Sequence, residues 1–564
     1  MFGSSISRRL VFCHRQVSRA VRKRPQSTSH PGPKSTSSTS KKTPILNLKN
    51  AVYFGAGLST GLYIYHSINR GIQGIGIGST NSTLPETQLL PLRYGSAREQ
   101  EQAFLEIAML LGTDRLSRLT NDLKEHSDTY WSTHRATDDE RPAIVVFPKT
   151  TEEVSSIMEI AHKYRVPVTP FSGGTSLEGH FTPTHGGICI DFKFMDKILA
   201  INKSDLDAIV QPAVGWEGLN DVLAEQGLFF PPDPGPGAEI GGMIGTSCSG
   251  TNAFRYGTMK EHVVSLTVVL ADGTIIKTRK RPRKSSAGYN LNGLFVGSEG
   301  TLGIVTEAII KVVPKPMSES VAVVSFNSIG EAAKCVENVI QAGLQVGAVE
   351  ILDANQMRTI NKAGYTARIW KEEPTLFFKF TGTPHSVHDQ IKETKKIASQ
   401  NSYNSFDFAK HESEIEELWS ARKTALWSTI ESAPKNYHAW TTDVAVPVSE
   451  LTNIITSTQR DLDENKIEYS IVGHVGDGNF HAIIVYDPDT QRKAVEEAVD
   501  RMVHRALAVD GTCTGEHGVG VGKMKFLKDE VGQEAVDVMR RLKFALDPLC
   551  ILNPGKVVSI QPYK

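Results

Sequence analysis

From about Arg141 onward, short apolar runs alternate with stretches whose apolar residues recur every three or four positions, the pattern of strands mixed with amphipathic helices. "AIVVFPKT" (143–150) reads as a strand entering a turn. "TEEVSSIMEIAHKYR" (151–165) reads as an amphipathic helix, its acids early and its bases late, as the helix dipole favours. "VPVTPFSGGTS" (166–176) runs from strand into glycine loop, and "HVVSLTVVLADGTII" (262–276) is strand, turn and strand. "LGIVTEAIIKVVPKP" (302–316) is a strand closed by prolines, and its "VPKP" marks a domain boundary. Beyond it, "SFNSIGEAAKCVENVIQAG" (325–343) and "TLFFKFTG" (375–382) predict a sheet covered by helices, with further helices over about 489–509 and 523–546. Upstream, 71–95 reads as a linker, and a helical pattern runs from Glu99 to about Lys124. No internal repeat is present.

One turn stands out. In "GHVGDGNFH" (473–481) the Asp-Gly pair predicts a two-residue hairpin between apolar strands. Folding it between Asp477 and Gly478 sets His474 opposite His481, so that both imidazoles point to one side and can converge on a metal ion. From these residues alone, a turn with two hydrogen-bonded histidines is the plainer reading.

Composition narrows the class. The chain has 564 residues, zero formal net charge and 40% hydrophobic content, enough for two or three globular domains. Balanced charge gives no support for nucleic-acid binding. The six cysteines form no CxxC pair, against a disulfide framework or a cysteine-based metal site. The N-terminus differs. No acid occurs before Glu86, and Arg8, Arg9, Arg15, Arg19, Arg22, Lys23 and Arg24 stand among many serines, the composition of a mitochondrial presequence (1–48). The uncharged "NAVYFGAGLSTGLYIYHSIN" (50–69), between Lys49 and Arg70, is long enough to span a bilayer core. Presequence and candidate anchor (49–70) together predict import followed by arrest in the inner mitochondrial membrane.

Three glycine-rich segments follow: "PFSGGTSLEGH" (170–180), "DPGPGAEIGGMIGTSCSGTNAFRYGTM" (233–259) and "GLFVGSEGTLGIVTEA" (293–308). Backbone N–H groups in the first can cradle a pyrophosphate, with Ser172, Thr175 and Ser176 as added donors. None of them carries the GxGxxG of a Rossmann fold or the GKS of a P-loop. Three such segments in one domain suit a long dinucleotide lying across loops.

These segments, with "KSSAGYNLNGLFVGSEGTLGIVT", "HVGDGNFH", "GEHGVG" and "LDPLCILNPGKV", resemble the FAD-dependent D-2-hydroxyacid dehydrogenases, flavoproteins of the vanillyl-alcohol-oxidase type. The resemblance covers about residues 140–560, with the motifs in family order. It implies an α+β protein: a bipartite FAD-binding domain (141–317) and an α+β cap with an antiparallel sheet, whose C-terminal segment (within 318–564) returns to the flavin. FAD contacts would fall on Pro170, Ser172, Gly173, Gly174, Thr175 and Ser176, then on Pro234, Gly242, Gly245, Thr246 and Gly250, then on Glu299, Gly303 and Ile304, with Asn553 beside the isoalloxazine. Relatives that attach flavin from the first loop carry His where this chain has Thr175, which implies non-covalent FAD.

Oxidising a 2-hydroxyacid removes the O–H proton and the C2 hydride, so the site needs a base, a device to polarise the hydroxyl and a cation for the carboxylate. His474 and His481, with Glu516 from "CTGEHGVG", form a two-histidine, one-carboxylate set suited to a divalent metal, zinc above all. The family's glutamate–histidine pair implies Glu516 as ligand and His517 as base. Arg422 in "ELWSARKTALW" suits a bidentate grip on a carboxylate, although a surface pair with Glu416 or Glu417 is the plainer reading of that helix alone. Where hydroxyglutarate-specific relatives carry polar or cationic groups, this chain has Leu426, Thr441 and Ile483, which favours a small monocarboxylate, D-lactate. With the presequence, the resemblance implies cytochrome c as acceptor and a catalytic domain facing the intermembrane space. D-2-hydroxyglutarate or glycolate oxidation, and an alkyl-glycerone-phosphate synthase-like transfer, are the rival activities.

Overall fold

The computed structural model describes residues 92–409 and 411–560. The presequence and anchor predicted for 1–70 lie outside the described residues. Among the described residues, no helix is long and apolar enough to cross a membrane.

The N-terminal half is built on two small sheets. In the first, strands Ile144–Val146, Ile188–Asp191 and Val168–Phe171 run parallel, with Leu116–Ser117 added antiparallel at one edge. Helix Thr151–Tyr164 covers it through Val154, Ile157, Met158 and Ala161, the apolar stripe that the sequence displays. The second sheet is antiparallel, in the order Ile198–Asn202, Asp207–Val210, Ile304–Lys311, Val263–Val269, Ile275–Lys277. All three glycine segments leave or enter these strands, so their loops gather at the sheet ends.

After Pro316 the chain builds an eight-stranded sheet whose pairings are antiparallel. Its central neighbours are Thr375–Gly382, Ala348–Leu352, Glu468–Gly473 and Asn479–Tyr486. Alternation sorts its residues by face. Leu376, Phe378 and Phe380 join the core under helices Ile329–Gln341, Pro384–Gln400, Leu451–Glu464 and Arg492–Leu507. Phe377, Leu352, Val472 and Ile483 join a smaller core with Met357 and Ile360 of helix Ala354–Ala363 and with Leu418 and Trp419 of helix Glu412–Lys423. The fold is therefore of the α+β class expected, with an antiparallel sheet in the part after Pro316.

Three local expectations change. The helix predicted over 99–124 ends at Leu111, because Gly112 adopts φ 89°, and a separate short helix follows at Thr120–Glu125. The last helical stretch is likewise divided at Gly532, φ 82°. The Asp-Gly turn is wider than two residues. His481 pairs with Val472 rather than His474, and Val475–Asp477 form a 3₁₀ turn closed by Gly478 in the left-handed region. The shift of two residues preserves the parity of the pairing, so His474 and His481 still share a face.

The C-terminal segment returns to the first sheet. Val168 donates to Ile551 O and accepts from Asn553 N–H, each at 2.7 Å, extending the sheet edge. Beneath this seam Lys543 is buried, donating from Nζ to Thr301 O, Leu552 O and Asp547 Oδ2 at 2.8, 2.6 and 2.6 Å. Asp547→Ala strands that ammonium. We expect a loss of about 3–5 kcal/mol in urea unfolding, with part of it recovered when Lys543→Met is added.

Candidate catalytic and cofactor site

The turn after Gly473 and the strand Asn479–Tyr486 bring the two histidines into edge-to-face contact, ring centroids 5.7 Å apart. Glu516 arrives from a remote loop. Its Oε1 lies 3.1 Å from Nε2 of both His474 and His481. One ligand atom from each of the three residues lies within 4.8 Å of the others. The far nitrogens are spoken for: His474 Nδ1 meets Glu350 Oε1 at 2.9 Å, and His481 Nδ1 donates to Thr442 O at 2.8 Å. Each Nε2 is thus turned inward. Burial opposes charge on His474, but Glu350 and Glu516 at its two nitrogens outweigh burial and hold its pKa well above the ordinary histidine value. For Glu516, burial is likewise overcome by His474 and His481, which keep its carboxyl well below the usual range. Ser249 from the second glycine segment donates to its other oxygen at 2.5 Å.

His517 stacks on His481 at 5.0 Å. Burial pushes its pKa down to about 3, which keeps the imidazole neutral, and its Nδ1 is buried without a hydrogen-bond partner. Asp443 holds this loop. Its Oδ2 accepts the backbone N–H groups of Glu516 and His517, each at 3.0 Å, and the Thr514 hydroxyl at 2.8 Å. Its Oδ1 accepts from Asn479 Nδ2 at 2.7 Å. Burial alone would raise the Asp443 carboxyl, but Lys523 and the two imidazoles outweigh it and hold it far below the carboxylate range. Asp443, His481 and His517 form a second convergent group of potential ligands.

Arg422 does not pair with Glu416 or Glu417. Its Nε donates to Glu350 Oε2 at 2.7 Å across to the sheet, and the residue lines a cavity shared with the histidines.

That cavity, about 690 Å³, is lined by His474, His481, Glu516, His517 and Arg422 at one end. Leu426, Thr441 and Ile483 form part of the same wall. From the N-terminal half come Pro170, Ser172, Thr175, Ser176, Pro234, Gly242, Gly245, Thr246, Gly250, Glu299, Gly303 and Ile304, and from the returning C-terminal segment Asn553. Gly173 and Gly174 form the turn behind this wall, at φ 70° and 64°. Ser172 spends its hydroxyl on Glu239 and Pro212 O, and Glu299 accepts Val519 and Gly520 N–H. Other polar atoms are free to serve a ligand. Ser176 Oγ, Asn553 Oδ1 and His180 Nδ1 are buried without hydrogen-bond partners, His180 Nε2 lies 3.5 Å from Glu299 Oε2, and a Cβ at Gly235 would meet nothing within 4 Å. A mostly apolar cleft of this size with a few orphaned polar groups fits a flavin dinucleotide. The donor set at its end fits a divalent ion.

The sequence reading missed Glu350, Asp443, His180 and Lys379. Glu350 and Asp443 were visible as acids inside apolar strand runs, "GAVEIL" and "TTDVAV". Lys379, also lining the cavity, holds its ammonium 4.6 Å from the Trp419 ring centre.

Comparison with known proteins agrees with this architecture. Residues 142–279 match the FAD binding domain family and residues 315–557 the C-terminal domain of FAD linked oxidases. The chain is 53% identical to D-lactate dehydrogenase [cytochrome] 1, mitochondrial, of Saccharomyces cerevisiae, over 81% of this chain and 80% of that protein. It is 44% identical to the mitochondrial D-lactate dehydrogenase [cytochrome] of Arabidopsis thaliana, over 82% and 81%. Among solved structures, 4-ethylphenol oxidase from Gulosibacter chungangensis shares the fold at TM-score 0.70 and 19% identity, covering 84% of this chain and 99% of that one. Fold and cleft thus define an FAD-dependent oxidoreductase of the vanillyl-alcohol-oxidase type. Within that class, the chain belongs to the family of FAD-linked D-lactate dehydrogenases (cytochrome).

Asp443→Asn replaces an all-acceptor group with one that presents an amide to the donors of the 514–517 loop. The expected result is a folded protein about 1–3 kcal/mol less stable in urea, the cost of leaving buried donors unmet. Unchanged stability would show that the loop does not hang on this carboxylate.

Proposed function

We propose that the protein oxidises D-lactate to pyruvate and passes the electrons to cytochrome c. The observation that carries this reading is the convergence of His474, His481, Glu516, His517 and Arg422 at one end of the flavin-sized cleft. When bound, FAD supplies a hydride acceptor and a divalent ion, zinc by its donor set, supplies a Lewis acid for the 2-hydroxyl. His474, His481 and Glu516 hold the ion. The glycine segments around Ser176, Gly235 and Gly245, with Asn553, hold FAD, and Thr175 offers no nitrogen for covalent attachment. Arg422 grips the substrate carboxylate through its free nitrogens. His517, neutral and stacked beside His481, takes the hydroxyl proton. Leu426, Ile483 and Trp427 exclude water from the far side. The apolar wall favours a small monocarboxylate, and the names of the relatives agree. Lys379 favours a second reading, a dicarboxylate such as D-2-hydroxyglutarate, which relative kcat/KM values decide.

Anaerobic D-lactate should bleach the flavin, L-lactate should not, and cytochrome c should restore the colour. No bleaching by D-lactate would end this reading in favour of another 2-hydroxyacid or a non-redox transfer. His481→Ala should lose metal and activity together. His517→Ala should keep metal and FAD yet reduce flavin about 10²–10⁴-fold more slowly, the range for a lost general base.

The presequence (1–48) and the uncharged span within 49–70 support attachment to the mitochondrial inner membrane, with the catalytic domain in the intermembrane space, where cytochrome c is met. Protease added to mitoplasts should digest the domain while intact mitochondria protect it. Protection in mitoplasts would place it in the matrix.

A further inference from the structure

Glu350 sits in strand Ala348–Leu352 with 1% of its surface exposed. Around it are Ala348 and Leu352 on its own face and Phe377 directly across on the next strand. A carboxylate in such surroundings costs several kcal/mol unless its oxygens are engaged. Both are: Arg422 Nε donates to Oε2 at 2.7 Å, and His474 Nδ1 donates to Oε1 at 2.9 Å. Stability alone does not call for this arrangement, because a buried ionic triad is commonly no more stable than apolar residues of equal volume. The partners, however, have separate tasks. His474 is one of the three residues assigned to the ion, and Arg422 is assigned to the substrate carboxylate.

We propose that Glu350 is a positioning residue that links the two: it fixes His474 with Nε2 facing the ion and aligns the outer nitrogens of Arg422 on the substrate carboxylate. The proposal rests on the metal and substrate roles given above for His474 and Arg422. Its chemistry follows from the geometry. A histidine that gives its Nδ1 proton to a carboxylate keeps the Nε2 lone pair for a metal, holds its ring orientation, and becomes a more basic ligand. An arginine held through Nε has its plane fixed, and its Nη pair remains as a two-pronged donor. Without the anchor, a long and flexible side chain must be ordered again by each substrate molecule. One carboxylate serving both predicts a distinctive pattern: loss of Glu350 weakens metal and substrate binding together, whereas loss of Arg422 leaves metal binding intact.

The test is Glu350→Gln in the full-length enzyme purified with its flavin. Glutamine keeps the volume, but it can accept well from only one of the two donors and turns an amide toward the other. Zinc affinity is measured by competition with a chromogenic chelator, and KM and kcat for D-lactate at saturating zinc. FAD content should stay at the wild-type level. Zinc affinity should fall by about 10–100-fold, the effect of losing the carboxylate behind a metal-ligating histidine. KM should rise by about tenfold, a loss of the size of one hydrogen bond to a charged group, while kcat changes less. Arg422→Met should raise KM and leave zinc affinity unchanged. A Glu350→Gln enzyme that is merely less heat-stable, with zinc affinity and KM within about twofold of wild type, would overturn the proposal. If that variant does not fold, Glu350→Asp, which retains the charge but is one methylene shorter, takes its place. A loss in either constant supports the proposal, and wild-type values for both overturn it. Wild-type protein that is active with no zinc would instead defeat the metal reading, and the KM of Glu350→Gln would still decide the arginine half.

Discussion

Buried negative charge governs this structure. Glu350, Asp443 and Glu516 stand within or beside the cap sheet with little or no access to water. A carboxylate in an apolar interior persists only when cations and N–H groups surround it. Each of the three has assembled its own shell: Arg422 and His474 around Glu350, Lys523 with the loop N–H groups around Asp443, and His474, His481 and Ser249 around Glu516. The shells share members, so the imidazoles and the guanidinium have few other orientations open to them. Electrostatic necessity thus does the work that packing does elsewhere in the sheet, and it turns the Nε2 atoms of both histidines toward Glu516.

The same constraint explains which parts of the site were legible in the sequence. Residues of all three glycine segments line one cleft, and the segments stand out in the sequence because their signal is local: several glycines following a strand have few other uses. His474 and His481 were legible even though the turn between them was drawn too tight. Side chains alternate with a period of two, and a register error of two residues leaves both on the same face. An error of one residue would have put them on opposite faces of the sheet.

Glu350 and Asp443 escaped notice for the opposite reason. Each is a single acid in an apolar strand, and its meaning lies in partners far along the chain, Arg422 and His474 for one, Lys523 and the 514–517 loop for the other. No local pattern ties Glu350 to Arg422 across the intervening sequence. For Arg422 taken alone, a surface pair with its own helix is the plainer reading, and the bond to buried Glu350 rules that pair out. The helix breaks at Gly112 and Gly532 escaped as well, because flanking helical periodicity hides a single glycine until its positive φ is known.

The loop that carries Glu516 and His517 joins the two halves of the molecule. On its cap side, Asp443 accepts the Glu516 and His517 N–H groups. On its flavin side, Glu299 accepts the N–H groups of Val519 and Gly520 at 2.6 and 2.8 Å. The backbone passes so close to its neighbours that side chains are excluded at two points. A Cβ on Gly518 would lie 2.7 Å from His180 Nε2, and one on Gly520 would lie 2.1 Å from Glu178 O. Both glycines also have positive φ, 79° and 50°, which a side chain would strain. "GEHGVG" is therefore a strap drawn tight between two buried acids, one from each domain. Fastened at both ends, the strap has few other courses open to its backbone, and this fixes where the side chains of Glu516 and His517 leave it. Four backbone N–H groups given to two buried carboxylates, with glycines where the neighbours leave no room for a side chain, hold the loop by polar contacts where an apolar core would otherwise be needed.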